Sequence, residues 1–322
     1  MTHTAIPDAR AVHEAEARIR PYLSETPLLQ VPDLDAVMGA PLHLKLESLQ
    51  RTGSFKARGA LNWVLTAEPE ELHQGLVTVS AGNHALALAW AAAMREVPLT
   101  VVMPAGSSPL KVRGTEALGA KVIVQGTIQE AVAHCHRLRD ESGLTLVHPY
   151  DDPRVMAGQG TVGLELLRQG PDIGRVLCPI GGGGLISGLG LALKAARPGI
   201  ELIGVEPAGA PTMRHAWDCQ DAAAALDRVD TWAASLAPAA VGENTYAASR
   251  KVVDDILTVS EASIRQATRH LLSSGHLLVE PGAAVGLAAL IEHRFPAATG
   301  DTVLVLTGAN LDLDQVDRCL TD

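Results

Sequence analysis

A lysine in the first turn of a helix sits where the positive end of the helix dipole disfavours a second cation, by about 0.3–1 kcal/mol. The segment Thr52-Gly53-Ser54-Phe55-Lys56-Ala57-Arg58-Gly59-Ala60 puts Lys56 in that position. Leu42, Leu44 and Leu46 alternate as one face of a strand, Gly53 marks a turn, and a helical pattern starts at Ser54. The field that disfavours a cation favours a lysine that gives up its proton and acts as a nucleophile. A lysine considered alone is more simply a solvated surface charge, so the chemical reading depends on the other stretches of the chain.

Three of these end a strand and open a loop. Gly181-Gly182-Gly183-Gly184 follows an apolar strand and precedes a helix, so backbone N–H groups converge without side-chain obstruction at a positive helix end, which suits a phosphate. Its spacing fits neither G-x-G-x-x-G nor G-x-x-x-x-G-K-[ST], and a glycine turn required only for packing is the plain alternative. Ser80-Ala81-Gly82-Asn83-His84 joins a strand to a helix and offers open amides, a hydroxyl and a carboxamide to a carboxylate; the alternative is a capping loop. Thr307, in Leu306-Thr307-Gly308-Ala309-Asn310, ends the last strand with one neutral hydroxyl, or else belongs to an ordinary turn.

The elements that must position these residues follow a regular alternation. A helix over 8–22 and a connection through Pro27 and Pro32 lead to the strand Leu42–Leu46, and the Lys56 helix runs to about Leu65. Strands at 76–80, 99–103, 121–124 and 145–148 alternate with helices ending near Met94, at 109–118 and at 128–141. This predicts a compact open parallel sheet. After Pro149-Tyr150-Asp151-Asp152-Pro153 come a helix at 158–169, strands at 175–180 and 201–205 around a helix at 185–195, a strand at 256–259, helices at 261–273 and 283–293, and a strand at 302–306. Residues 208–250 are Ala-rich and carry no assignment. The expected fold is α/β: two open, twisted, mostly parallel sheets with flanking helices. The larger domain takes 1–68 and 148–322, the smaller 69–147, and ligands bind between them.

Composition narrows the function classes. A chain of 322 residues with 47% hydrophobic and 19% charged residues reads as a soluble, two-domain globular protein. Lys and Arg number 26 against 36 Asp and Glu, a net charge of −10, and no basic run offsets it, which argues against nucleic acid or an anionic membrane as partner. Cys135, Cys178, Cys219 and Cys319 form no Cys-x-x-Cys, consistent with a reducing, cytoplasmic setting. Thr2–Arg20 lacks the apolar run of a signal peptide, and no stretch reaches a membrane span.

Together the motifs resemble the threonine/serine dehydratase and serine racemase family of fold type II, tryptophan synthase beta-like pyridoxal-phosphate enzymes. Leu44-Lys45-Leu46-Glu47 through Ala60 looks like the Schiff-base lysine segment, and Ser80–His84 like the Ser-x-Gly-Asn-His loop. His148–Pro153 with Gly158-Gln159-Gly160-Thr161 resembles the inter-domain return, Gly181–Gly184 the phosphate cradle, Gly204-Val205-Glu206-Pro207 the following strand end, and Glu280-Pro281-Gly282-Ala283 a late active-site turn. The resemblance implies pyridoxal 5'-phosphate bound covalently to Lys56, with Phe55 and Asn83 at its ring and hydroxyl, Gly181, Gly182, Gly183 and Gly184 on its phosphate, Glu280 nearby and Thr307 opposite the pyridine nitrogen. A neutral hydroxyl there makes the ring a weaker electron sink than an Asp partner would, favouring prompt elimination. Ser80, Ala81, Gly82, Asn83 and His84 would hold the substrate carboxylate while Lys56 removes the Cα proton. A small amino substrate and a homodimer are the partners so implied.

Departures from the family pattern sharpen the expectation. Ala81 stands where the racemases place a second serine, as it does in dehydratases. Ala233-Ala234-Ser235 replaces the family's Ala-Asp-Gly, which puts plain serine or threonine in question as substrate. The divalent-metal site of some relatives keeps Glu206 but has Thr212 where the Asp should be, so no metal is expected. His134-Cys135-His136 and the pair His215 and Cys219 are poor ligand sets by spacing. The expected activity is an ammonia-lyase that eliminates the β-hydroxyl of a serine- or threonine-like amino acid to a 2-keto acid and ammonia. Alternatives are a dehydratase for 3-hydroxyaspartate or a hydroxyectoine-breakdown intermediate, or a serine/aspartate-type racemase. A sulfhydryl-adding enzyme, a nucleotide-dependent dehydrogenase and a non-catalytic binding protein fit less well.

Overall fold

The computed structural model describes residues 6–38, 41–170, 172–292, 295, 299–312 and 315–317. The end of the helix expected at His293 and Cys319 lie outside them. The described elements in chain order are α1 (Ala9–Ile19), β1 (Leu28–Gln30), α2 (Pro32–Met38), β2 (Leu42–Leu46), α3 (Lys56–Thr66), α4 (Pro69–Leu72), β3 (Leu76–Val79), α5 (Asn83–Met94), β4 (Leu99–Met103), α6 (Pro109–Ala117), β5 (Lys121–Val124), α7 (Ile128–Ser142) and β6 (Thr145–Leu146). They continue with α8 (Pro153–Gln169), β7 (Ile173–Pro179), α9 (Gly184–Ala196), β8 (Glu201–Pro207), α10 (Thr212–Cys219), α11 (Glu243–Val252), β9 (Asp255–Val259), α12 (Glu261–Ser273), α13 (Val285–Glu292) and β10 (Asp301–Leu306). No described helix is long and apolar enough to cross a membrane.

Two sheets form. One has the order β1-β2-β10-β7-β8-β9 and the other β5-β4-β3-β6. All pairs are parallel except β1 with β2. β7 and β8 are buried along almost their whole length, as strands covered on both faces must be. The expected return of β2 into the larger sheet holds: it pairs with β10 from Leu42↔Thr302 to Leu46↔Leu306.

Three local readings needed correction. The connection through Pro27 and Pro32 contains β1 and α2, because Pro32 is pre-set for a helix start and Leu29 pairs across to Leu44. The helix expected from Gly158 begins at Pro153, since Asp152 caps it by accepting from the Arg154 and Val155 amides. Its glycines, which read as a break, mark close approach: a Cβ on Gly158 would lie 2.6 Å from the Arg58 carbonyl oxygen. In the unassigned stretch, α10 and α11 flank an irregular run around a short 3-10 turn, Ala234–Leu236. The expected helix from Ala283 is split into a 3-10 turn (Pro281–Ala283) and α13.

Strand ends decide where chemistry occurs. The loops after β2, β3, β7 and β10 carry Lys56, Ser80–His84, Gly181–Gly184 and Thr307, at the carboxyl ends of parallel strands.

Candidate active site

Lys56 is the first residue of α3, preceded by Phe55 in helical conformation. The loop before it folds back on the end of β10: the Phe55 amide donates to the Thr307 carbonyl at 3.1 Å, and the Ala309 amide to the Gly53 carbonyl at 2.9 Å. The Lys56 Nζ donates to the Pro149 carbonyl oxygen at 2.7 Å and lies 5.3 Å from the centre of the Phe55 ring. Burial pushes its pKa down to about 8 against the opposing attraction of Glu280, so near neutrality a usable fraction of the amine is unprotonated.

Glu280 is deeply buried beside this amine. Burial raises its pKa, and Lys111, the Asn83 and Ser235 side chains and Lys56 oppose that rise. Its Oε1 accepts from Asn83 Nδ2 at 2.8 Å, and Asn83 Oδ1 accepts from Asn310 Nδ2 at 2.8 Å. Asn83 opens α5 beside a bare loop: nothing lies within 4 Å of where a Cβ on Gly82 would be, and Ser80 Oγ accepts from the Gly82 amide at 3.2 Å. Next to it, His84 is 2% exposed with neither ring nitrogen hydrogen-bonded. Burial, with Lys56 and His148 nearby, holds His84 well below the usual imidazole range, so it is neutral. His148 is likewise pushed down, to about 4, by burial and by Lys56; its Nδ1 accepts from the Asp151 amide at 2.8 Å.

The glycine loop lies across from this group. Gly183 has φ +90°, a conformation open to glycine, and it brings no side chain to cap α9. The Tyr150 ring lies against Gly182, where a Cβ would come within 2.3 Å of the ring, and its hydroxyl donates to the Ala240 carbonyl at 3.0 Å. Burial and Asp151 push the Tyr150 phenol up to about 12, keeping it neutral. Thr307, 2% exposed, has an unpartnered Oγ1, and so does Ser54 at its Oγ.

These residues suit a phosphorylated, carbonyl-bearing aromatic cofactor. An amine able to lose its proton, an uncapped helix N-terminus and buried hydroxyls without partners are the groups such a molecule would satisfy. Lys56, Asn83, Glu280 and Thr307 are tied into one constellation by direct bonds and shared neighbours. Ala81 carries no group that could donate a proton. Sequence reasoning did not single out Tyr150, His148, Ser235, Lys111 or the Pro149 carbonyl. Tyr150 and His148 lay inside the quoted His148–Pro153 motif, whereas nothing local marks Lys111 or Ser235.

The expectation about metal is supplied with a physical reason. Glu206, fully buried with its pKa raised to about 8 by burial, accepts from the Met213 and Arg214 amides at 2.7 and 2.9 Å, capping α10. Thr212 Oγ1 donates to the Pro238 carbonyl at 2.7 Å. Among the described residues no group of three or more His, Cys, Asp or Glu is placed to hold a metal ion.

Residues 19–308 match the family described as "Pyridoxal-phosphate dependent enzyme". The chain is 41% identical over 306 residues to an L-threonine ammonia-lyase of Geobacter sulfurreducens, covering 95% of this chain and 76% of that one. It is 38% identical over 312 residues to a serine racemase of Arabidopsis thaliana, covering 95% and 94%. Among solved structures it superposes on a bacterial threonine deaminase, that of T.th., with a TM-score of 0.89 at 41% identity, covering 95% of this chain and 99% of that one.

Proposed function

This chain belongs to the family of pyridoxal-phosphate dependent enzymes, and from that premise we propose that it is an ammonia-lyase that removes the β-hydroxyl of a threonine- or serine-like amino acid, releasing a 2-keto acid and ammonia. The cofactor is pyridoxal 5'-phosphate. The observation that carries the elimination over racemisation is Ala81. A proton returned to the opposite face of Cα needs an acid on that face, and the methyl group of Ala81 has none to give. The similarity to an L-threonine ammonia-lyase over 95% of the chain points the same way.

In this reading Lys56 holds the cofactor, and Gly181, Gly182, Gly183 and Gly184 bind its phosphate at the start of α9. Phe55 and Asn83 meet its ring and hydroxyl, and Thr307 lies opposite its ring nitrogen. The cofactor supplies electron withdrawal from Cα. Ser80, Ala81, Gly82, Asn83 and His84 hold the substrate carboxylate through amides and the Ser80 hydroxyl, and neutral His84 adds no charge of its own. The Lys56 amine takes the Cα proton; the ammonium so formed has the Pro149 carbonyl to donate to and the Glu280 carboxylate beside it. We further read residues 1–68 with 148–322 as one domain and 69–147 as the other, the protein as a homodimer, and its compartment as the cytoplasm.

The test is to reduce the purified protein with borohydride, map the label, and assay keto acid from L-threonine and L-serine. Label on Lys56 with keto acid from L-threonine is expected. Label on another lysine, or no keto acid from any β-hydroxy amino acid, would overturn the proposal. High kcat/KM on L-threonine would also show that Ala234 in place of the pocket Asp does not exclude it.

A further inference from the structure

Asn310 uses its whole amide to fix the amide of Asn83. Its Nδ2 donates to the Thr52 carbonyl at 2.7 Å and to Asn83 Oδ1 at 2.8 Å. The first bond determines the rest. A backbone carbonyl only accepts, so the NH2 end of Asn310 must face Thr52. The second hydrogen then points at Asn83, which must answer with its oxygen. The NH2 end of Asn83 is thereby turned to Glu280 Oε1, 2.8 Å away, with one N–H left over.

The surroundings are built for this contact. Thr52 and Gly53 both have positive φ, 59° and 72°, and the loop they form wraps the Asn310 amide so closely that a Cβ on Gly53 would lie 2.6 Å from Asn310 Oδ1. A Cβ on Gly308 would lie 2.8 Å from Glu280 Oε1 and 3.2 Å from Asn83 Nδ2. A non-glycine residue held at positive φ is strained, and strain of this kind persists where the surroundings over-determine it.

We propose that Asn310 is a positioning residue that sets which end of the Asn83 amide faces Glu280 and so leaves one Asn83 N–H directed to the cofactor. It rests on the reading of Asn83 as a contact of the cofactor ring and goes beyond it in naming what orients that contact. Asn310 touches neither cofactor nor substrate in this scheme and acts through Asn83.

The experiment compares wild type, Asn83→Ala, Asn310→Ala, Asn310→Asp and the double Asn83→Ala/Asn310→Ala variant. The cofactor is stripped from each, pyridoxal 5'-phosphate is titrated back, and affinity and the absorption band of the bound form are recorded; the melting of each stripped protein confirms its fold. Asn83→Ala and Asn310→Ala are each expected to weaken binding by roughly three- to tenfold, with the double variant no weaker than Asn83→Ala alone. Asn310→Asp fills the same volume but cannot donate, so it should lose at least as much and shift the band. Wild-type affinity and band in both Asn310 variants, or independent losses that multiply in the double variant, would overturn the proposal while leaving the Asn83 reading intact. An unchanged Asn83→Ala would overturn both. Keto acid release by the wild type tests the lyase reading separately.

Discussion

Lys56 shows how a residue's chemistry is set by its surroundings. Its place in the first turn was legible from Gly53 and the helical pattern after it, yet the main cause of its lowered pKa is burial, which no sequence pattern states. Capture of cofactor needs the neutral amine, so the rate at which stripped protein takes up pyridoxal 5'-phosphate should rise with pH to about 8 and level off above it. At pH 6 it should be on the order of a hundredfold slower than at the plateau. A rate still climbing above pH 10 would place the amine at its ordinary value of 10.5 instead. Ala81 bears on the opposite face of Cα. The wild type should form keto acid far faster than D-isomer, and Ala81→Ser should gain measurable D-isomer, scored by product analysis of L-serine in deuterated water. Abundant labelled D-isomer from the wild type would show that another group serves that face.

At the scale of elements, caps and strand ends explain most of what was read in advance. Thr127 caps α7 with Glu130 answering, Ser108 caps α6 ahead of Pro109, and both helices were expected within a residue of where they lie. α10 was not expected, because its cap is Glu206, six positions upstream on the end of β8. That contact also bears on metal dependence. A divalent cation would have to take the Glu206 oxygens from two amides and displace the Thr212 hydroxyl from the Pro238 carbonyl. Chelator is therefore expected to leave turnover within about twofold, and added Mg²⁺ or Ca²⁺ not to raise it. Activity lost to chelator and restored by either ion would mean that the helix start rearranges to bind it.

At the scale of the whole molecule, a buried ionic cluster joins segments far apart in the chain. Arg58 pairs with Glu47 at 2.8 Å and with Glu165 at 2.6 Å, and Lys45 Nζ lies 2.6 Å from Glu165 and 2.8 Å from the Thr26 carbonyl. The cluster links β2, the residues after it, α3 and α8, two positions beyond Lys56. Burial pushes the Glu165 carboxyl up, and Arg58 and Lys45 more than offset that, leaving it below its usual value. Its contribution to stability is thus present above pH 4.5 and lost as pH falls through the lowered value. Glu165→Ala strands two buried cations and should cost about 3–5 kcal/mol, seen as a lower urea midpoint. A loss under about 1 kcal/mol would show that water reaches the cluster. Sequence by itself determined what local rules govern: the alternation of strands and helices, the loops that end them, and the order of motifs that pointed to Lys56, the glycine loop and the cofactor. Only the tertiary structure decided that the Lys56 amine meets a carbonyl 93 positions away, that Asn83 meets Glu280 across 197, and that Asn310 meets Thr52 across 258. Periodicity and capping act over a few residues, whereas these partners are chosen by how two sheets and their helices pack.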